Sequence, residues 1–187
     1  LPKHASPPSQ RKKIIIKGYT GFVGRALTTL RALEKVADCL DGYEVFIYSA
    51  SLRVRLRALV LRFKHRVTVR IIKKRTPHAE MLSHFSESRI YIGISLSDGI
   101  STSLLEAMAT GCYPIQTGTS CACEWLTATS GAIVSPSDIQ EIGQRIREAI
   151  TNDTLVDEAA KANIAIIQSR ASTQVGSTVA RSFYQND

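Results

Sequence analysis

Asp98 and Glu106 stand eight positions apart in the stretch "SLSDGISTSLLEAMATGCYPI", Ser95 to Ile115. Gly99, Ile100, Ser101, Thr102 and Ser103 lie between them. The apolar run "RIYIGISL" leads into this cluster, and a segment with helical spacing leaves it. Two carboxylates and a hydroxyl group at the mouth of a buried strand suggest a polar ligand. An ionised carboxylate only accepts hydrogen bonds, so it suits a sugar or ribose diol. A helix starting there offers free N–H groups and a partial positive charge, which suit an anion. Ser103 and Glu106 also have the spacing of a capping box, in which Glu106 would serve only its own helix. Asp98-Gly99 also fits an ordinary turn.

A second cluster lies upstream. "KGYTGFVGRAL" places Gly18, Gly21 and Gly24 between Lys17 and Arg25. Glycines let a backbone approach a pyrophosphate, and a helix N-terminus favours its charge. The plain alternative is a flexible turn between strand and helix.

The elements that must hold these residues alternate. "KKIIIKG", "YEVFIYSA", "RVTVRII", "RIYIGISL", "CYPIQT" and "GAIVS" read as strands. "RALTTLRALEKVADCL", "SLRVRLRALVLRFKH", "TPHAEMLSHFSES", "STSLLEAMAT" and "PSDIQEIGQRIREAI" read as helices, and one or two more follow Asp153. Thr76 is the expected N-cap of the third helix, with Pro77 behind it. Ser137 and Gln140 are spaced as a capping box for the fifth. The pattern predicts an α/β fold, a Rossmann-like parallel sheet with helices on both faces. Ligands of such sheets bind outside the carboxyl ends of the strands, where both clusters fall.

The 187 residues, 44% of them hydrophobic, suit one globular domain. Residues 1–12 read as a linker or disordered tail from their Pro, Ser and basic content, and 13–187 as the domain. No apolar run is long enough to span a membrane, and no signal peptide opens the chain. Cys39 and Cys112 read as small core residues; Cys121 and Cys123 are too close for a zinc knuckle, and no His partner is near. No metal site is expected, and a reducing cytoplasm is the default.

A net charge of +8, from 24 Lys+Arg against 16 Asp+Glu, favours an anionic partner. Arg53, Arg55, Arg57, Arg62, Lys64, Arg66 and Arg70 form a basic run. It reads equally as a solvated helix face or as a peripheral contact with the inner face of an anionic membrane. No nucleic acid is expected, since aromatics are 6% of the chain and are not interleaved with the basic run. His78 and His84 read as surface or half-buried residues without a catalytic role.

Two resemblances follow from the motifs. The three-glycine string resembles the fingerprint of NAD(P)-binding short-chain dehydrogenases. The rest of that pattern departs: "YSASLR" has no acidic residue for a ribose diol, and no Tyr is followed four positions later by Lys. "DGISTSLLEAMATGCYPI" resembles the signature of retaining glycosyltransferases of family 4, which have the GT-B fold. Asp98 stands at the first acidic position, normally Glu, and Glu106 at the second. Ala107, Met108, Ala109, Gly111 and Pro114 are in step, as are Glu124, Gly131 and Asp138 downstream. The likeness covers most of Lys13 to Thr151.

The second resemblance implies the carboxyl-side half of a GT-B enzyme, binding a UDP- or GDP-sugar for retaining, metal-independent transfer in glycan or polysaccharide biosynthesis, without a cofactor. It implies Lys17 and Arg25 on the donor diphosphate, although Ala26 replaces the Gly usual after the second cation. Glu106 would hold the ribose. Asp98, Gly99, Ile100 and Ser101 would orient sugar and phosphate, with Ser103 beside them. Asp98 is one methylene shorter than Glu, which implies a sugar contact altered or drawn inward. An amino-terminal GT-B domain would hold the acceptor, so the chain is expected to be an excised domain or fragment. The alternatives are the dehydrogenase-like domain and a non-catalytic nucleotide-sugar-binding module.

Overall fold

The computed structural model describes residues 6–119 and 121–171. Six parallel strands form one sheet: β1 (Lys13–Lys17), β2 (Glu44–Tyr48), β3 (Thr68–Ile71), β4 (Ile90–Gly93), β5 (Tyr113–Thr117) and β6 (Ala132–Val134). Their order is β3-β2-β1-β4-β5-β6. The direction of winding reverses between β1 and β4, whose register pairs Ile14 with Ile90, Ile15 with Tyr91 and Ile16 with Ile92. This switch point opens a crevice beyond the two carboxyl ends.

Period-two side-chain alternation divides the core into two layers. Ile14 and Ile16 point into one, with Leu30 and Leu33 of α1 (Ala26–Lys35), Val54 and Leu61 of α2 (Leu52–Lys64), and Ile142 and Ile146 of α6 (Ile139–Thr151). Ile15 points into the other, with Phe85 of α3 (His78–Ser86), Leu104 and Met108 of α4 (Thr102–Ala109), and Trp125 of α5 (Ala122–Trp125). The last helix, α7 (Asp153–Arg170), gives Val156 and Ala159 to the first layer and Ile167 to the second. The predicted parallel sheet with helices on both faces is observed.

Residues 6–12 lie against this body. Pro8 is buried, and the Ser9 hydroxyl donates to the Asp157 carboxylate at 2.7 Å. The buried Arg11 guanidinium donates to the Ser88 and Thr110 carbonyl oxygens at 3.0 and 3.1 Å. Composition marks this segment as polar and proline-rich, but long-range hydrogen bonds hold its backbone.

The helix starts differ in detail from the sequence reading. Asp138 caps α6 by accepting from the Gln140 and Glu141 N–H groups, and Glu141 reaches back to the Ser135 N–H. The expected Ser137–Gln140 box is therefore shifted by one residue. Pro77 precedes α3, and Thr76 turns its hydroxyl back to the Lys73 carbonyl instead of capping. The short α5 has no counterpart in the sequence pattern, because four residues carry too little periodicity to detect.

Gly18 packs where β1 leaves the sheet. A Cβ placed there would lie 2.5 Å from the Tyr48 carbonyl oxygen and 2.8 Å from the Ala50 Cα. Both are backbone atoms, which cannot swing aside as side chains do. Gly18→Ala is expected to destabilise the fold by about 1–3 kcal/mol through overpacking. A thermal melt checks this; an unchanged Tm would show that β1 and β2 separate freely at this end.

Candidate functional site

Backbone hydrogen bonds knit the loops after β1 and β4 into one wall. The Arg25 N–H donates to the Ile94 carbonyl at 2.8 Å, and the Leu96 N–H donates to the Phe22 carbonyl at 2.8 Å. Gly21 supplies the left-handed turn this loop needs, with φ of 89°. Thr117 and Thr119 both donate to the Ser95 carbonyl, at 2.9 and 2.8 Å, and pin the β4 loop to the end of β5. The two glycine- and hydroxyl-bearing clusters thus meet across the switch point.

The wall brings Lys17 and Asp98 together. Nζ lies 2.6 Å from Oδ2, with the side chains 12% and 21% exposed. The Lys17 ammonium also sits 5.5 Å from the centre of the Tyr19 ring, within cation–π range. Asp98 therefore has one oxygen committed to a lysine before any ligand arrives.

Arg25 occupies the N-cap position of α1, with φ of −120° and ψ of 48°. It helps line an open pocket of ≈ 330 Å³ with Thr20, Gly21, Phe22, Thr28 and Leu96. It takes part in no ion pair among the described residues. A cation next to a glycine loop and a helix start can receive a phosphate without first breaking a bond.

The start of α4 excludes the capping-box reading of Glu106. The N-cap is Ser101, so Ser103 and Glu106 lie inside the helix, and the Ser101 side chain makes no cap hydrogen bond. The Ser101 carbonyl accepts from the Leu104 and Leu105 N–H groups. The Thr102 and Ser103 N–H groups that open the helix make no hydrogen bond among the described residues. Gly99 and Ile100 are exposed at the mouth of the crevice, while Ser101 is buried.

Glu106 instead meets His78 at the start of α3, with Nε2 to Oε1 at 2.7 Å. The sequence reading set His78 aside. Nothing in its local pattern indicates this contact, which depends on α3 and α4 packing side by side. Oε2 of Glu106 has no hydrogen-bond partner among the described residues.

Beneath α4 lies a polar floor that sequence reasoning also missed. The hydroxyls of Tyr48 and Tyr91 and Oε1 of Gln116 are buried without a well-formed hydrogen bond. The Tyr91 hydroxyl and the Gln116 amide close on Gly93, where a Cβ would collide with both, and Tyr48 neighbours Tyr91. Burial pushes the Tyr91 phenol up to about 12 and the Tyr48 phenol well above its usual range. Both phenols thus stay protonated, with Ser101 beside Tyr91 and Ser103 beside Tyr48. Buried polar groups without partners carry a desolvation cost, and sites that bind polar ligands commonly bear it.

Cys112 is a core residue, as expected. Its thiol donates to the Phe85 carbonyl, and burial raises its pKa to about 11. Among the described residues, no three His, Cys, Asp or Glu side chains group as metal ligands. No helix there is long and apolar enough to cross a membrane.

The fold defines a doubly wound α/β domain whose switch point opens at the carboxyl edge of the sheet. The chain belongs to the family described as "Glycosyl transferases group 1", whose profile matches residues 7–166. This membership displaces the dehydrogenase alternative. Among solved structures it is similar to the C-terminal domain of a glycosyl transferase group 1 family protein (LpcC) from Francisella tularensis. That match has a TM-score of 0.75 and 18% identity, and covers 86% of each chain. It is also similar to Anabaena Alr3699/HepE in complex with UDP-glucose, with a TM-score of 0.75 and 15% identity over 95% of this chain and 50% of that one. The pneumococcal O-GlcNAc transferase GtfA, in complex with UDP and GlcNAc, gives a TM-score of 0.74 and 15% identity over 97% of this chain and 37% of that one. No protein of curated function matches. The fold is that of a carboxyl-terminal GT-B domain, and the chain spans half of HepE and less of GtfA.

Proposed function

We propose that the chain is the donor-binding half of a retaining, metal-independent glycosyltransferase of family 4 type, acting in glycan or polysaccharide assembly on a UDP- or GDP-sugar. The observation that carries this reading is the crevice at the switch point. Lys17 ends β1 and pairs with Asp98 beyond β4; among the described residues, Arg25 stands unpaired at the start of α1 and Glu106 on α4 keeps one oxygen unbonded, which together support the reading. A nucleoside diphosphate has the same polarity: two phosphates and a ribose diol. The UDP-bound neighbours lend weight to a uridine base.

On this reading Lys17 and Arg25 stabilise the diphosphate as the bond from the sugar C1 to the phosphate oxygen breaks and its electron pair stays on the phosphate. The N–H groups of Gly99, Ile100 and Ser101 ahead of α4, and of Thr102 and Ser103 at its start, meet the same charge with fixed dipoles. Asp98, held by Lys17, orients the sugar from a shorter side chain than Glu. The acceptor is held mainly by an amino-terminal GT-B domain, which closes over the donor and excludes water.

A thermal-shift panel of UDP, GDP and NADPH tests donor binding. A ligand at one hundred times its dissociation constant stabilises by about 2.7 kcal/mol. UDP or GDP is expected to raise Tm and NADPH to leave it unchanged; the reverse pattern would restore the dinucleotide reading. The 187 residues alone are expected to bind donor without efficient transfer, because one Rossmann-like unit cannot enclose both substrates. Efficient glycosylation of an acceptor by this chain alone would overturn that division of labour. No turnover after an amino-terminal half is supplied would favour a non-catalytic binding module.

A further inference from the structure

Four exposed large apolar side chains outside the crevice share one helix. Leu52 is 71% exposed, Leu56 58%, Leu59 39% and Phe63 77%. All four belong to α2, at spacings of four, three and four residues. At about 100° per residue they fall within an arc of about 60°. The buried Val54, Ala58 and Leu61 occupy the opposite side. The helix thus has two apolar faces: one serves the core, and the other lies open.

Its charge pattern narrows the choice of occupant. Leu52–Lys64 contains no Asp or Glu. On the helical wheel, Arg55 and Arg62 flank the open stripe on one side, and Arg53 and Lys64 on the other. Arg57 faces inward and is paired with Glu34 at 2.6 Å, so it takes no part. The flanking four make no ion pair among the described residues. A second copy on this face would bring like charges together. An apolar stripe bordered on both sides by long cationic stems suits the boundary between acyl chains and anionic headgroups, where the stems reach outward to the phosphates.

We propose that α2 docks this domain peripherally on an anionic lipid surface, with Leu52, Leu56, Leu59 and Phe63 entering the headgroup layer and Arg53, Arg55, Arg62 and Lys64 meeting lipid phosphates. The surface is separate from the donor crevice. Because α2 starts just beyond the carboxyl end of β2, docking holds the crevice end of the sheet close to the lipid.

Vesicle sedimentation tests it, using phosphatidylcholine alone and phosphatidylcholine mixed with phosphatidylglycerol. The parent is expected to bind the mixed vesicles, to bind neutral ones far less, and to be released by salt. Each flanking cation contributes about fivefold, so Arg53→Gln, Arg55→Gln and Arg62→Gln together should weaken binding about 100-fold. The double variant Leu56→Ser and Phe63→Ser, whose charge is unchanged, should also lose binding. Both positions are exposed, so its melting curve should match the parent's and show that the fold is intact. Equal binding to neutral and anionic vesicles would overturn the proposal. So would undiminished binding of the serine variant, or a parent dimer that the serine variant dissolves, which would assign the stripe to a second copy.

Discussion

Glu106→Gln is expected to weaken a nucleoside diphosphate and the corresponding bare nucleoside by the same factor, roughly 10- to 100-fold. A hydrogen bond to a charged group is worth about 1.5–3 kcal/mol, and the amide loses that charge and replaces one acceptor oxygen with a donor nitrogen. The geometry supports a ribose role. Glu106 sits inside α4 rather than at its cap, and one oxygen is free. The 2′,3′-dideoxy nucleotide should bind parent and variant equally. Arg25→Ala provides the contrast. It should weaken the diphosphate by a similar factor, leave the nucleoside nearly unchanged and flatten the salt dependence. Calorimetry on three proteins and three ligands checks all of this. Parent-like binding by Glu106→Gln would remove Glu106 from the site.

Lys17→Ala is expected to cost more than 100-fold in diphosphate affinity, and Asp98→Asn on that background should recover about tenfold. Removing the lysine deletes a charge-assisted bond and also leaves the Asp98 carboxylate unpaired beside the incoming phosphates. Asp98 is partly solvated, so its repulsion is screened rather than full. Asp98→Asn alone frees the Lys17 charge, so it should tighten UDP or GDP while weakening any preference for the sugar-bearing donor. Residues in contact couple, and a double-mutant cycle measures that coupling. Strict additivity would mean that Lys17 and Asp98 separate in solution and act independently.

The sequence by itself determined the strand–helix order, because continuous apolar strands such as "KIIIK" and helices with apolar spacing bury themselves as a parallel sheet covered on both faces. It also placed Lys17 and Asp98 at or just past the carboxyl ends of strands, and Arg25 and Glu106 on the helices that follow them. Its motif spacing pointed to the glycosyltransferase family that the profile match shows.

Tertiary structure decided which of these groups touch. Lys17 and Asp98 are 81 positions apart, and only the β1–β4 pairing puts their side chains at 2.6 Å. His78 reaches Glu106 across 28 positions because α3 packs beside α4. Tyr91 and Gln116 read as ordinary strand residues until the pairing of β4 with β5 sets them against Gly93. The open stripe on α2 is likewise a tertiary fact. Its leucines have the same apolar character as those in the core, and only the docking of Val54, Ala58 and Leu61 determines which face stays exposed. Local pattern sets element type through backbone and side-chain periodicity, whereas contacts between distant residues depend on strand order and helix packing.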